Sequence, residues 1–352
     1  MYGSKLLTYC GAAGLWLLSL RSLGQTLPTQ TTLQRADFRV SGPAHRQLAV
    51  RRVALPAATG RVVLLVHGGG PGGVASFDLP VPGGSLAADL TQRGFIVYAL
   101  NIRGWGASPD PVLPAAATGQ VNGNCQQASQ DIDRVVRAIR RREGVTQVVL
   151  FGWATGGHWG GYYATRHRRR VSHFISLNSL YGVRAPWGLR AAFADPHDST
   201  RYNQELGPWR TATSKSLTDA WEKSIPVADK NQWRDSVVQR AYGQNALRAD
   251  SGALRRQPPT MRVPGGYREE AFYQSLGRQY WSARRLRLPV LALRGELDFW
   301  SRPADLTALA AELPTGFPHK TVTLPQATHF VFLDRPERGR AQLLAEIEAF
   351  LR

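Results

Sequence analysis

The chain has 352 residues, 43% of them apolar and 20% charged, which allows a large core and excludes a disordered or fibrous chain. The formal net charge of +19 is carried almost wholly by arginine, in clusters such as Arg166-His167-Arg168-Arg169-Arg170. Such clusters attract nucleic acid or anionic lipid, but no nucleic-acid-binding module accompanies them, so they read as solvated faces.

At the N-terminus, Lys5 precedes an apolar run from Leu6 to Leu20, and Ser22-Leu23-Gly24 places small residues where a signal peptidase cuts. Residues 1–24 are therefore expected to be a signal peptide, with export to the periplasm or medium and a mature start at Gln25. The apolar run falls short of the roughly 20 residues that a span needs, so no stable membrane span is expected. Cys10 would leave with the leader. That makes Cys125 the sole mature thiol and precludes an intramolecular disulfide.

Residues 25–60 are expected to hold a polar, Thr/Gln-rich leader over 26–36 and two short strands over 38–41 and 48–54. Residues 61–66, R-V-V-L-L-V, form an unbroken apolar run, as a strand covered on both faces of a parallel sheet requires. This strand runs into His67-Gly68-Gly69-Gly70-Pro71-Gly72. A helix over 85–92 and a buried strand over 95–100 come next, then the loop from Asn101 to Ser108. Ile132, Val135, Val136 and Ile139 predict a helix over 131–142, closed by Gly144. A strand over 148–151, a helix over 155–167 and a strand over 174–177 complete the first stretch of alternation.

The rhythm then stops. Residues 183–286 carry scattered tryptophans and many Arg, Pro and Gly, and are expected to form a helical cap over the ligand-binding edge of the sheet. The core, begun over 61–182, resumes over 287–352 with strands over 289–293 and 321–324 and helices over 304–313 and 338–351. Alternating strands and helices predict an α/β fold, a doubly wound and mostly parallel sheet with an inserted cap.

Gly152-Trp153-Ala154-Thr155-Gly156 follows the 148–151 strand with the spacing of a nucleophile elbow, G-x-S-x-G, but with alanine where the nucleophile belongs. Together with the His-Gly-Gly-Gly-Pro-Gly loop, the Asn101-Ile102-Arg103-Gly104-Trp105-Gly106-Ala107-Ser108 motif, Asp298 and His329, this resembles the α/β-hydrolase fold superfamily. The loop is similar to that of its capped branch containing proline iminopeptidases. Asn101 stands where that branch usually has aspartate.

The resemblance implies a nucleophile position at Ala154, an acid at Asp298 and a general base at His329. It also implies oxyanion donors among the amides of Gly69, Gly70 and Thr155, with His67 and Trp153 at the pocket. Thr155 is a poor substitute nucleophile, because in an elbow the successor gives its N–H and turns its side chain away. His158, one turn into the following helix, reads as a packed residue, and Glu296 is the second-choice carboxylate. The alanine is either natural or a change made to trap substrate; the retained leader favours the natural origin.

Three function classes follow. One is a hydrolase of small esters or amides, another a binder that has lost its nucleophile, and the third a His–Asp proton-transfer enzyme such as a lyase or oxygenase. Each takes a small-molecule substrate; no metal, organic cofactor or nucleic-acid partner is called for.

Overall fold

The computed structural model describes residues 32–42, 47–108 and 122–352, together with Met1. The expected signal peptide, Cys10 and most of the leader lie outside the described residues. Among the described residues there are ten strands and ten α-helices, and eight of the strands share one sheet.

An antiparallel pair, β1 (Gln34–Ser41) and β2 (Gln47–Ala54), forms one edge of that sheet. β1 reaches back into the stretch expected to be leader. The Arg51 guanidinium donates to both Asp37 carboxylate oxygens at 2.7 Å across the pair, which fixes its register. β3 (Val62–Val66) and β4 (Ile96–Leu100) are buried at every position, as their unbroken apolar runs require. Between them lie α1 (Gly73–Phe77) and α2 (Leu86–Gln92), the latter capped by Ser85, whose hydroxyl accepts from the Ala88 amide at 2.9 Å.

The helix expected from residue 131 begins earlier, as α3 (Cys125–Glu143), because the Asn124 side chain accepts from the Gln127 amide and caps it there. α3 ends at Gly144, which takes a left-handed conformation (φ 67°). β5 (Val148–Trp153), α4 (Thr155–Ala164) and β6 (Val171–Leu177) follow.

The insertion between β6 and the next core strand is not woven into the large sheet. Nor is it purely helical, as the sequence suggested. It holds α5 (Arg190–Phe193), β7 (Trp209–Ala212), α6 (Ser214–Ser224), α7 (Ser236–Ala249), β8 (Met261–Pro264) and α8 (Gly266–Ser275). β7 and β8 pair with each other as an antiparallel two-stranded sheet. The core resumes with β9 (Val290–Leu297), α9 (Pro303–Glu312), β10 (His319–Thr328) and α10 (Ala341–Leu351).

Strand order in the large sheet is β1-β2-β4-β3-β5-β6-β9-β10, parallel from β4 to β10. The strands expected over 61–66, 95–100, 148–151, 174–177 and 289–293 are parallel neighbours, in the order β4-β3-β5-β6-β9, and the one expected over 321–324 lies beside them in β10. The loops after β3, β5, β9 and β10 therefore meet at one edge, where open α/β sheets hold ligands. The Asn101–Ser108 motif is a buttress for this edge. The Arg103 side chain and amide donate to the buried Asp131 carboxylate of α3, with 2.9–3.0 Å contacts from Nε and N. Ser108 receives the Ala49 amide and donates to the Asn101 carbonyl.

Candidate active site

The turn between β5 and α4 leaves no room for side chains on either flank. A Cβ on Gly152 would sit 2.3 Å from the Gly156 carbonyl oxygen, and one on Gly156 would sit 2.2 Å from that of Val66. Only glycine fits either place. Between them Ala154 takes φ 53° and ψ −120°, a conformation that costs an L-residue on the order of 1–3 kcal/mol. Its amide donates to the Leu177 carbonyl at 2.8 Å, tying the turn to the end of β6.

Asp298 and His329 meet across the ends of β9 and β10. Asp298 Oδ1 and His329 Nδ1 lie 2.6 Å apart, both residues being buried. The carboxylate also accepts from the Trp300 amide (3.0 Å), the Ser301 amide (2.8 Å) and the Ser301 hydroxyl. With its oxygens so engaged, Asp298 is an acceptor, so the shared proton sits on His329 Nδ1 and Nε2 is left bare. The ring is held against Trp153 (5.0 Å between centroids) and Phe299 (4.7 Å). Its main-chain carbonyl receives Trp153 Nε1 and Asn178 Nδ2, each at 3.0 Å. Glu296, the second-choice carboxylate, instead accepts from the Gln326 amide.

The loop after β3 is held from both sides, by His67 and Trp105 of the core and by Arg210 of the insertion. Gly68 O receives His67 Nδ1 at 2.7 Å, Gly69 O receives Arg210 Nη1 at 3.1 Å, and Gly70 O receives Trp105 Nε1 at 2.9 Å. A trans peptide points its N–H opposite its carbonyl, so with the Gly68 oxygen held by buried His67 the Gly69 amide faces away from that histidine, whereas the Gly70 amide points away from Arg210. His67 Nε2 accepts from the Ile102 amide at 3.1 Å, and burial pushes the imidazole down to about 4, so it stays neutral with its proton on Nδ1. His67 is therefore not a pocket residue, as expected from sequence, but a fully buried strut behind the loop.

Gly69, Gly70, Trp153, Ala154, Thr155 and His329 line one cavity of about 350 Å³, closed from the other side by Phe193, Leu217, Tyr242 and Tyr267 of the insertion. The cavity thus brings together every predicted site residue except Asp298, which stands behind His329, and His67. Thr155 Oγ1 is buried and meets no hydrogen-bond partner among the described residues, so no base contacts it. Phe299 and Trp300 could have been read from their place beside Asp298. Arg210 and Tyr242 gave no signal, because only the folded insertion carries them to the loop. A separate cavity of about 420 Å³ beside β1 and β2 has none of the acid, histidine or elbow residues in its walls.

One group of metal-ligand types occurs among the described residues, Cys125, His158 and Glu270, with donor atoms within 4.8 Å of one another. Its lone pairs are already spent. Trp281 Nε1, which can only donate, points at His158 Nδ1 from 3.2 Å, so the proton lies on Nε2 and faces Glu270 at 3.2 Å. Glu270 also receives the Cys125 amide at 2.9 and 3.0 Å. Burial pushes the Cys125 thiol far above its ordinary range, which leaves it protonated and inert.

Comparison with known proteins agrees with this architecture. Residues 61–336 match the family described as alpha/beta hydrolase fold. A probable 1-acylglycerol-3-phosphate O-acyltransferase from Oryza sativa subsp. japonica is 21% identical over 75% of this chain and 63% of its own length, so the chain spans about three fifths of that relative. Among solved structures, the 2-hydroxy-6-oxo-6-phenylhexa-2,4-dienoate hydrolase of Rhodococcus sp. strain RHA1 is similar over 90% of this chain and 99% of that one, with a TM-score of 0.57 and 15% identity. A thermophilic esterase from Thermogutta terrifontis covers 90% and 100%, with a TM-score of 0.57 and 19% identity. The match runs from β3 past the histidine loop, through the elbow, the acid and the insertion, and on that extent the chain belongs to the α/β-hydrolase fold family.

Proposed function

We propose that this protein handles small ester or amide substrates in the cavity around Ala154, as a capped hydrolase of the kind that includes proline iminopeptidases. The observation that carries this reading is the 2.6 Å Asp298–His329 pair, whose imidazole borders the same cavity as the Gly69, Gly70 and Thr155 main chain. The rice relative is named an acyltransferase and the two bacterial neighbours a hydrolase and an esterase, which is consistent with acyl chemistry.

With alanine at the elbow, no acyl-enzyme forms. The substrate carbonyl oxygen would sit at the loop and Thr155 amides, while His329 Nε2 takes a proton from a water whose oxygen bonds to the carbonyl carbon. Asp298 stabilises the imidazolium, which then returns the proton to the leaving oxygen or nitrogen. Loss of a triad nucleophile typically leaves on the order of 10³–10⁴-fold rate over water, so turnover is expected to be slow. A second reading, a binder that does not turn its ligand over, is favoured by Ala154 itself, which keeps the elbow conformation without a reactive atom.

The test is hydrolysis of short p-nitrophenyl esters and aminoacyl anilides by the unmodified protein and by Ala154→Ser. The variant is expected to gain activity by up to about 10⁶-fold and to be labelled by fluorophosphonates, whereas the parent is not labelled. An inert Ala154→Ser protein would sink the reading. Export belongs to the same proposal: intact-mass analysis of periplasmic or secreted material should give a chain starting near Gln25.

A further inference from the structure

The cavity walls are rich in donors and hold no carboxylate. No Asp or Glu lines the cavity, and its charged side chains are Arg210 and Arg268. Among the described residues, no carboxylate oxygen lies within 4.0 Å of either guanidinium. Arg268 gives Nε to the Gly265 carbonyl and Nη2 to those of Leu206, Gly207 and Trp209, which fixes its guanidinium to the insertion's main chain. Arg210, on β7, gives only Nη1, to Gly69 O, which leaves its remaining N–H groups free.

Three more donors in the same walls lack a partner among the described residues. Trp300 Nε1 and Thr155 Oγ1 are buried without one, and the hydroxyl of Tyr242, which lines the cavity, makes no hydrogen bond among the described residues. Tyr242 and Arg210 converge on the loop: a Cβ built on Gly70 would lie 3.4 Å from the Tyr242 hydroxyl and 3.7 Å from Arg210 Nη1. Buried donors without acceptors are costly, and the half-buried Arg210 guanidinium, lacking a counter-charge, is free to take one from a ligand.

We propose that the substrate carries a carboxylate close to its acyl carbonyl, received by the Arg210 guanidinium and the Tyr242 hydroxyl on the insertion side of the loop. The planar fork of Arg210 with one adjacent hydroxyl matches the coplanar oxygens of a carboxylate. The rest of the wall, with Leu217, Phe193 and Phe299, takes the apolar remainder of the molecule. This rests on the acyl-substrate reading above and narrows it to anionic esters or amides.

Because the Ala154 protein turns ligand over slowly, binding is measured directly by calorimetry with monomethyl succinate, dimethyl succinate and methyl phosphate. The hemiester is expected to bind about 10–100-fold tighter than the diester, as a charge-assisted pair in a closed site gives. That ratio should fall to near 1 in Arg210→Gln, recover in part in Arg210→Lys, and shrink several-fold in Tyr242→Phe, which keeps the ring. Thermal melting of each variant separates lost recognition from lost folding, and Tyr242→Phe carries the test if Arg210→Gln does not fold. Equal affinity for hemiester and diester overturns the proposal and leaves the acyl reading standing. Tighter binding of methyl phosphate overturns the choice of carboxylate. Binding of none of the three, with an inert Ala154→Ser protein, overturns the acyl reading itself.

Discussion

At the elbow, β5 ends in a turn that two glycines make possible, and Ala154 holds φ 53° there with no oxygen to present. Across the cavity, Asp298 and His329 stand 2.6 Å apart with every supporting donor in place. Under the acyl reading proposed above, one wall would have the shape of a reacting centre without its atom, and the other both shape and atoms. The difference separates two demands on a site. Geometry is held by main-chain packing over many residues, whereas reactivity resides in a single side chain and can be absent while the frame stands.

The sharpest way to probe the intact wall uses the repaired one. In the Ala154→Ser background, Asp298→Asn is expected to lower ester turnover by about 10⁴-fold, because the asparagine amide imposes the wrong imidazole tautomer. Steady-state kinetics would check it, and a loss of less than tenfold would show that Asp298 does not govern His329.

The two walls should also respond to acid in opposite directions. On the elbow side, burial holds His67 at about 4, below its unfolded value of 6.5. The unfolded chain then binds a proton that the folded one refuses, so this group's stability is complete above pH 6.5 and lost as pH falls toward 4, by about 3 kcal/mol. On the histidine side, burial raises Asp334 to about 7, against three donors, from Trp221 Nε1, the Thr328 amide and the Thr328 hydroxyl, that pull it down. Its stability is complete below its unfolded value of 3.8 and lost as pH rises to about 7, by about 4 kcal/mol. Urea midpoints followed from pH 4 to 7 should tilt one way in His67→Gln and the other way in Asp334→Asn, relative to the parent. Parallel tilts would refute the assignment.

A smaller effect tests whether the elbow stores strain. Ala154→Gly is expected to stabilise the fold by about 1 kcal/mol, raising the melting temperature by about 2 °C, since glycine takes positive φ without penalty. A fall in melting temperature would mean that the alanine methyl packs better than its backbone suffers.

Much of the frame could be read in advance, and the reasons are local. β3, β4 and β5 are unbroken apolar runs, and the elbow and the loop after β3 announce themselves through glycine spacing. Asp298 and His329 were found through order along the chain, and only folding brings them to hydrogen-bond distance. The insertion resisted reading for the opposite reason. β7 and β8 are four residues each, pair across a long separation, and have no alternation strong enough to mark them. His67 was misplaced because a histidine beside a glycine loop looks the same whether it faces the cavity or braces the loop. The start of α3 was missed because its first turn is polar and depends on the Asn124 cap.

Glu270 has a mechanical consequence. This carboxylate belongs to α8 of the insertion, yet it accepts from the first residue of α3 and from His158 of α4, both in the core. It works as a rivet at one end of the lid. That end cannot lift without stranding a buried carboxylate, and α6 is tied to the core through Trp221 and Asp334, so ligand traffic is expected to pass α5, whose Arg190 bonds only within the insertion. Amide hydrogen exchange should accordingly be faster in α5 than in α6 and α8, and Glu270→Gln should narrow the gap between α5 and α8 by loosening α8. Equal protection of all three helices in the parent would remove the doorway from that side.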